Sequence, residues 1–322
     1  MLFTRTHVRS RVWNRFSYRP FVEQLENREV LSTMLPPGIT ETTVVSGLSN
    51  PTNMEFSPDG RLFVLQQGGQ VVLVHANGTT FTALSLTVDS QGERGLLGIA
   101  FDPSYASNHF VYLYYTNPNA GGTATGEHNQ LSRFTVNDSD PQHPTFGSET
   151  PILDLNNLST ATNHNGGAIH FGSDGMLYMG VGENAHPANS QTLTTLLGKL
   201  LRVNVDGYAG VRDDTTVGHI IPADNPFVGT ATGINQLIYA LGLRNPFTFA
   251  VQPGTGRTFI NDVGQDTWEE IDQAVPGANY GWSFSEGFKQ PGDKNTTIGT
   301  YSPPWTVPWE QGRSEVLVMP SY

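Results

Sequence analysis

The chain has 322 residues, enough for one large β domain or two ordinary ones. It carries 35 glycines and 21 prolines, while only 14% of residues are charged, against about a quarter in an average globular chain; that balance suits short strands and tight turns and argues against long surface helices. The absence of cysteine excludes disulfides, thiolate zinc sites, iron–sulfur clusters and cysteine nucleophiles, and the net charge of −12 argues against a nucleic-acid partner.

The charge is unevenly placed. Residues 1–32 hold six arginines and three glutamates, net +3, which leaves −15 for the remainder. Residues 1–40 read as a basic leader and linker outside the fold. The run from Arg19-Pro20 through Glu23, Leu25-Glu26 and Arg28 to Leu31-Ser32 resembles a leader that precedes many exported or surface bacterial proteins, which implies a periplasmic or cell-surface location. No run approaches the roughly 18 apolar residues of a transmembrane helix.

From residue 41 a turn motif repeats. Phe56-Ser57-Pro58-Asp59-Gly60-Arg61-Leu62 recurs as Phe171-Gly172-Ser173-Asp174-Gly175-Met176-Leu177, with looser versions at Phe101-Asp102-Pro103 and Val251-Gln252-Pro253-Gly254. Each copy is an apolar run, a turn and a second apolar run, which is a hairpin signature. Further strand-like sequence follows each one, at Gln70 to His75, Gln130 to Val136, Lys199 to Val205 and Glu270 to Val275. Repeated hairpins with added strands predict an all-β propeller over 41–285, with about four blades present. Thr192 to Leu200 is the one helix-like stretch, and 286–322 reads as a Pro/Gly-rich tail, either the start of a further blade or frame-shifted sequence.

Several segments carry groups suited to chemistry. His164, in Asn163-His164-Asn165-Gly166-Gly167, precedes a glycine pair at the start of a blade, where a neutral imidazole can act as a general base or simply bond a loop carbonyl. Glu183, after the next strand, can orient that ring or lie in a solvated turn. Arg244 in Arg244-Asn245-Pro246 offers a charged fork to a carboxylate or a carbonyl gaining charge, or forms a buried salt bridge. The acidic loop from Asp262 to Asp266, with Trp268-Glu269-Glu270, has the hard oxygen donors that Ca²⁺ prefers, although such loops are commonly just solvated. Gly180-x-Gly182-x-x-Ala185 fits a dinucleotide fingerprint only formally, since Pro187 and Asn189 interrupt the required helix.

Taken in order, Glu93-Arg94-Gly95-Leu96-Leu97-Gly98, Asn163-His164-Asn165-Gly166-Gly167, Gly198-Lys199-Leu200-Leu201-Arg202, Gly242-Leu243-Arg244-Asn245-Pro246 and Asn279-Tyr280-Gly281-Trp282 resemble the glucose/sorbosone dehydrogenase family of quinoprotein sugar dehydrogenases. The resemblance implies a propeller of the six-bladed type, with pyrroloquinoline quinone (PQQ) and Ca²⁺ as cofactors, an aldose as substrate and an external electron acceptor. His164 then matches the base that takes the anomeric hydroxyl proton while hydride passes to the quinone, forming a lactone, and Glu183 matches its acidic partner. Arg244, Asn245 and Glu93 match cofactor-contacting positions, and Gly264 and Gln265 match carbonyl donors to Ca²⁺. The resemblance stops near Gly312-Arg313-Ser314, which leads to the expectation of a truncation or frame change there and of a chain that is inactive in this form. Two other readings stand beside it: a non-catalytic propeller that serves as a binding module, and a metal-dependent propeller lactonase.

Overall fold

The computed structural model describes residues 38–265, 268–286 and 317–320. The leader motif at 19–32, Asp266 and Gly312-Arg313-Ser314 lie outside the described residues. Residues up to Thr43 form a separate unit from Val44 onward; of that first unit, 38–43 hold one turn and no strand.

The second unit is built of four antiparallel sheets in chain order. The first contains β1 (Pro51–Phe56), β2 (Leu62–Gln66), β3 (Gln70–Val74) and β4 (Thr80–Ser85). The second contains β5 (Leu96–Phe101), β6 (Phe110–Asn117), β7 (His128–Asn137), the short β8 (Thr145–Phe146) and β9 (Thr150–Asn157), with a one-turn helix α1 (Tyr105–Asn108) in its first hairpin. The third is β10 (Ile169–Phe171), β11 (Leu177–Val181), β12 (Lys199–Val203) and β13 (Ile238–Leu241), and the fourth β14 (Pro246–Val251), β15 (Thr258–Asp262), β16 (Trp268–Gln273) and β17 (Leu317–Pro320). β17, from beyond residue 286, supplies the outer strand of the fourth sheet. The innermost strands pack in succession, β1 on β5, β5 on β10 and β10 on β14. This is a four-blade β-propeller arrangement, and all four repeated turns sit in the first hairpins of the blades.

Alternation within strands makes the arrangement, because successive side chains leave opposite faces of a sheet. Val111, Leu113 and Tyr115 of β6 join a core with Phe63, Leu65 and Leu73 of the first sheet. Tyr112 and Tyr114 of the same strand join Met179 and Leu201 of the third. On β12, Leu201 and Val203 face the second sheet, while Leu200 packs with Phe249 and Ile260 of the fourth. Three cores therefore fill the three junctions between four sheets, and β5, β11 and β12 are buried along their whole length, the charged Lys199 and Arg202 of β12 included.

Thr192 to Leu200 is not helical. A 3₁₀ turn occupies Pro187–Gln191 and β12 begins at Lys199. Between them the Thr192 and Thr195 hydroxyls accept the amide protons of Thr194 and Leu197, local bonds that compete with a helical ladder, and β-branched threonines add little helix propensity.

A buried ion pair ties blade 2 together. The His128 ring has no exposed surface; Nδ1 lies 2.8 Å from the Gly126 carbonyl and Nε2 3.1 Å from Asp154 Oδ1. Neither acceptor can donate, so both ring nitrogens must carry protons to make both bonds. Burial opposes that charge, but the bonds to Asp154 and Gly126 and the Asp154 charge outweigh it and raise the histidine above its ordinary range. Its contribution is full below the ordinary histidine value and is lost as pH rises through the raised one. Replacing His128 with Gln is expected to cost about 2–4 kcal/mol at pH 5.5, with the deficit shrinking toward pH 9. Urea midpoints of both proteins across that range check it, and a pH-independent gap would contradict it.

Candidate active site

Strand polarity gathers the site. In each blade the innermost strand starts where the second strand ends, so loops entering β5, β10 and β14 meet loops leaving β11 and β15 at one end of the channel. Glu93 precedes β5, His164 precedes β10, Arg244 and Asn245 precede β14, Glu183 follows β11, and Gly264 and Gln265 follow β15.

His164 is buried, 7% exposed, and its Nδ1 lies 2.5 Å from Oε1 of the fully buried Glu183. With the Nδ1 proton directed at that carboxylate, Nε2 keeps the lone pair, and among the described residues no protein group bonds Nε2. The other Glu183 oxygen, Oε2, is buried without a partner. The backbone at His164 is left-handed, φ 56°, a conformation that costs a non-glycine residue about 1 kcal/mol or more. Three contacts hold it there. The His164 amide donates to Glu93 Oε2 at 2.6 Å, the His164 carbonyl accepts from Asn184 N at 3.0 Å, and the ring is bound to Glu183. Close approach underneath explains the glycines. A Cβ on Gly182 would lie 2.2 Å from the His164 oxygen, and one on Gly166 2.4 Å from the Gly180 oxygen.

The fourth blade completes one network. Asn245 donates through Nδ2 to Glu93 Oε2 at 3.3 Å and accepts at Oδ1 from Gly166 N at 2.9 Å. The Arg244 carbonyl accepts from Glu183 N at 2.9 Å. The Arg244 guanidinium donates to the Val263 carbonyl at 3.0 Å and Gln265 Oε1 at 3.3 Å, and lies 5.5 Å from the centre of the Trp282 ring. These are neutral acceptors, and among the described residues no carboxylate forms a salt bridge with Arg244. The amides of Gly264 and Gln265 donate to Glu269 and Glu286, while among the described residues neither of their carbonyls accepts a hydrogen bond. Two neutral oxygens with free lone pairs are the donor chemistry of a hard cation.

Asp262, read from sequence as a donor in an acidic loop, lies with Glu270 and Asp272, one carboxylate oxygen of each within 4.8 Å of the others, a group that could hold a metal ion. Asp262 is buried, and its carboxylate accepts the Arg244 amide at 2.9 Å and the Asn245 amide at 2.7 Å. Burial, reinforced by the charge of Glu270 directly opposite on β16 and only partly countered by the amide bonds, pushes it up to about 8. No sequence signal separates such a buried carboxylate from a solvated one. Arg94 was likewise unremarked as a site residue; its guanidinium pairs with Asp89 at 2.7 Å and binds the carbonyls of Ser159 and Ala161, fixing the approach to His164.

Folded Asp262 holds its proton to higher pH than the unfolded chain, whose value is near 3.8. Its favourable contribution is full below that value and is lost as pH rises through about 8. Asp262→Asn, which keeps an acceptor for both amides, is expected to flatten the fall in stability between pH 5 and 9. Denaturant midpoints at several pH values check this, and an unchanged slope would count against it.

The sequence profile of the Glucose / Sorbosone dehydrogenase family matches residues 48–313. Quinoprotein glucose dehydrogenase B of Acinetobacter calcoaceticus is 28% identical over 80% of this chain and 55% of its own length. Aldose sugar dehydrogenase YliI of Escherichia coli is 28% identical over 83% of this chain and 70% of its own. The human Hedgehog-interacting protein is 31% identical over 65% of this chain and 31% of its own. Among solved structures, the PQQ-bound form of aldose sugar dehydrogenase from Streptomyces coelicolor superposes with a TM-score of 0.63 at 33% identity, covering 77% of this chain and 66% of that one. The chain thus spans little more than half of the Acinetobacter enzyme and about two thirds of the Streptomyces structure.

Proposed function

This chain belongs to the glucose/sorbosone dehydrogenase family, and from that membership and the geometry above we propose that its site oxidises the anomeric hydroxyl of an aldose to a lactone, with PQQ and Ca²⁺. The carrying observation is the His164–Glu183 pair. Glu183 fixes the ring and stabilises the imidazolium formed when Nε2 takes the hydroxyl proton, which is general-base work worth about 10²–10⁴ in rate.

No side chain accepts hydride, so PQQ, if bound, would supply that acceptor. Arg244, with no salt bridge among the described residues and Trp282 beside it, suits a planar anionic ring, and Asn245 and Glu93 border the same space. The free carbonyls of Gly264 and Gln265 suit Ca²⁺. The resemblance of residues 19–32 to a leader of exported bacterial proteins supports export to the periplasm or cell surface; no helix among the described residues is long and apolar enough to cross a membrane. The second reading is a non-catalytic propeller that binds a partner. It is favoured by the similarity to the Hedgehog-interacting protein and by Arg244 having no second cation beside it in the network described.

Titrating PQQ into the protein with Ca²⁺ present and following dye reduction with a panel of aldoses separates the two. The proposal expects saturable PQQ binding, turnover that a chelator abolishes, and a loss of at least about 10²-fold in kcat for His164→Ala. PQQ binding weakened by Arg244→Ala would support the cofactor assignment. Failure to bind PQQ, with the fold intact by circular dichroism, would move the protein to the binding-module reading.

A further inference from the structure

Lys199 is wholly buried, at 0% exposure, on the first residue of β12. Among the described residues no carboxylate pairs with it. Its Nζ instead meets three main-chain carbonyls, those of Asn189 at 2.5 Å, Leu197 at 2.7 Å and Ser190 at 3.3 Å. Three acceptors match the three N–H donors of an ammonium group. Burial acts against the charge and pushes the lysine well below its ordinary range, so the carbonyl dipoles are what offset its loss of water.

Two of those carbonyls belong to the 3₁₀ turn Pro187–Gln191, and this turn supports the site from beneath. Asn189 Nδ2 donates to the Glu183 carbonyl at 3.0 Å, and the His186 amide donates to the same oxygen at 3.3 Å. Ser190 accepts the Gly242 amide at 2.9 Å and donates through Oγ to the Leu243 carbonyl at 2.7 Å, just before Arg244. Gln191 donates to the Trp282 carbonyl. The segment carries no long helix or ladder of its own to fix it.

We propose that Lys199 is a positioning residue: by gathering the carbonyls of Asn189, Ser190 and Leu197 it fixes the 183–191 segment, and thereby holds the Glu183 carboxylate against His164 Nδ1. The role takes the His164–Glu183 pair as the reacting centre, as proposed above, yet it can be tested on the pair itself without cofactor or sugar.

The probe is the His164 Nδ1 proton, which a 2.5 Å bond to a carboxylate places far downfield in proton spectra of protein labelled with ¹⁵N-histidine; its upfield move in Glu183→Gln, where a neutral carbonyl replaces the carboxylate, identifies it. Lys199→Met keeps a long unbranched side chain without donors. It is expected to shift this resonance upfield and speed its exchange with water by about tenfold or more, the effect of losing about one hydrogen bond. A residue that only stabilises the blade would lower Tm and leave the resonance in place, so an unchanged shift and exchange rate in folded Lys199→Met overturns the proposal. If that variant does not fold, Asn189→Ala, at a half-buried position, cuts the link between the held turn and Glu183. The same displacement of the resonance is expected there, and its absence is equally fatal. Failure to bind PQQ would overturn the catalytic reading alone, because the resonance reports the pair in either case.

Discussion

Burial on both faces of every inner sheet is the constraint from which the rest follows. A single strand such as β6 must serve two cores at once, Val111, Leu113 and Tyr115 on one side and Tyr112 and Tyr114 on the other. A slip of one residue would exchange the two sets. Strand register is therefore fixed by packing along the whole blade, and the loop positions are fixed with it. Because each hairpin returns to the end at which it began, residues far apart in the chain arrive at one rim: the Glu93–Asn245 contact joins positions 152 residues apart.

The reactive pair depends on that precision. A histidine and a glutamate 19 residues apart meet because β10 and β11 pair with Ile169 opposite Met179, leaving His164 and Glu183 beyond the same end. The neighbouring blades then complete the setting, blade 2 through Glu93 and blade 4 through Arg244, Asn245 and Asp262. Bonds between blades, Glu93 to His164 and Asn245, Asn245 to Gly166 and Glu183 to Arg244, lock these groups to one another.

Much of this was legible in the sequence because turns and alternation are local. The Phe-x-x-Asp-Gly repeat marked the first hairpins, and the apolar runs after it marked the added strands. The residues brought to the rim were chosen one motif at a time, and strand polarity explains why such motifs converge. What escaped was long-range or conformational. The composition of Thr192 to Leu200 is compatible with a helix, and only the hydroxyl-to-amide bonds of Thr192 and Thr195 take the segment out of one. Asp262 looked like a surface ligand because only the packed β16 reveals its burial beside Glu270. The burial of Lys199 has no mark in the sequence, since its partners are main-chain carbonyls, which every residue carries.

The left-handed backbone at His164 has a further implication. Glycine would occupy that geometry with ease, but it would take away the ring that pairs with the fully buried Glu183 carboxylate. The chain thus keeps a locally strained backbone at the point where an imidazole is wanted, and three contacts from two loops, one through Glu93 and two through Glu183 and Asn184, restrain it. Robustness and reactivity therefore meet at this position, because the ring suited to chemistry is also the partner that a fully buried carboxylate requires.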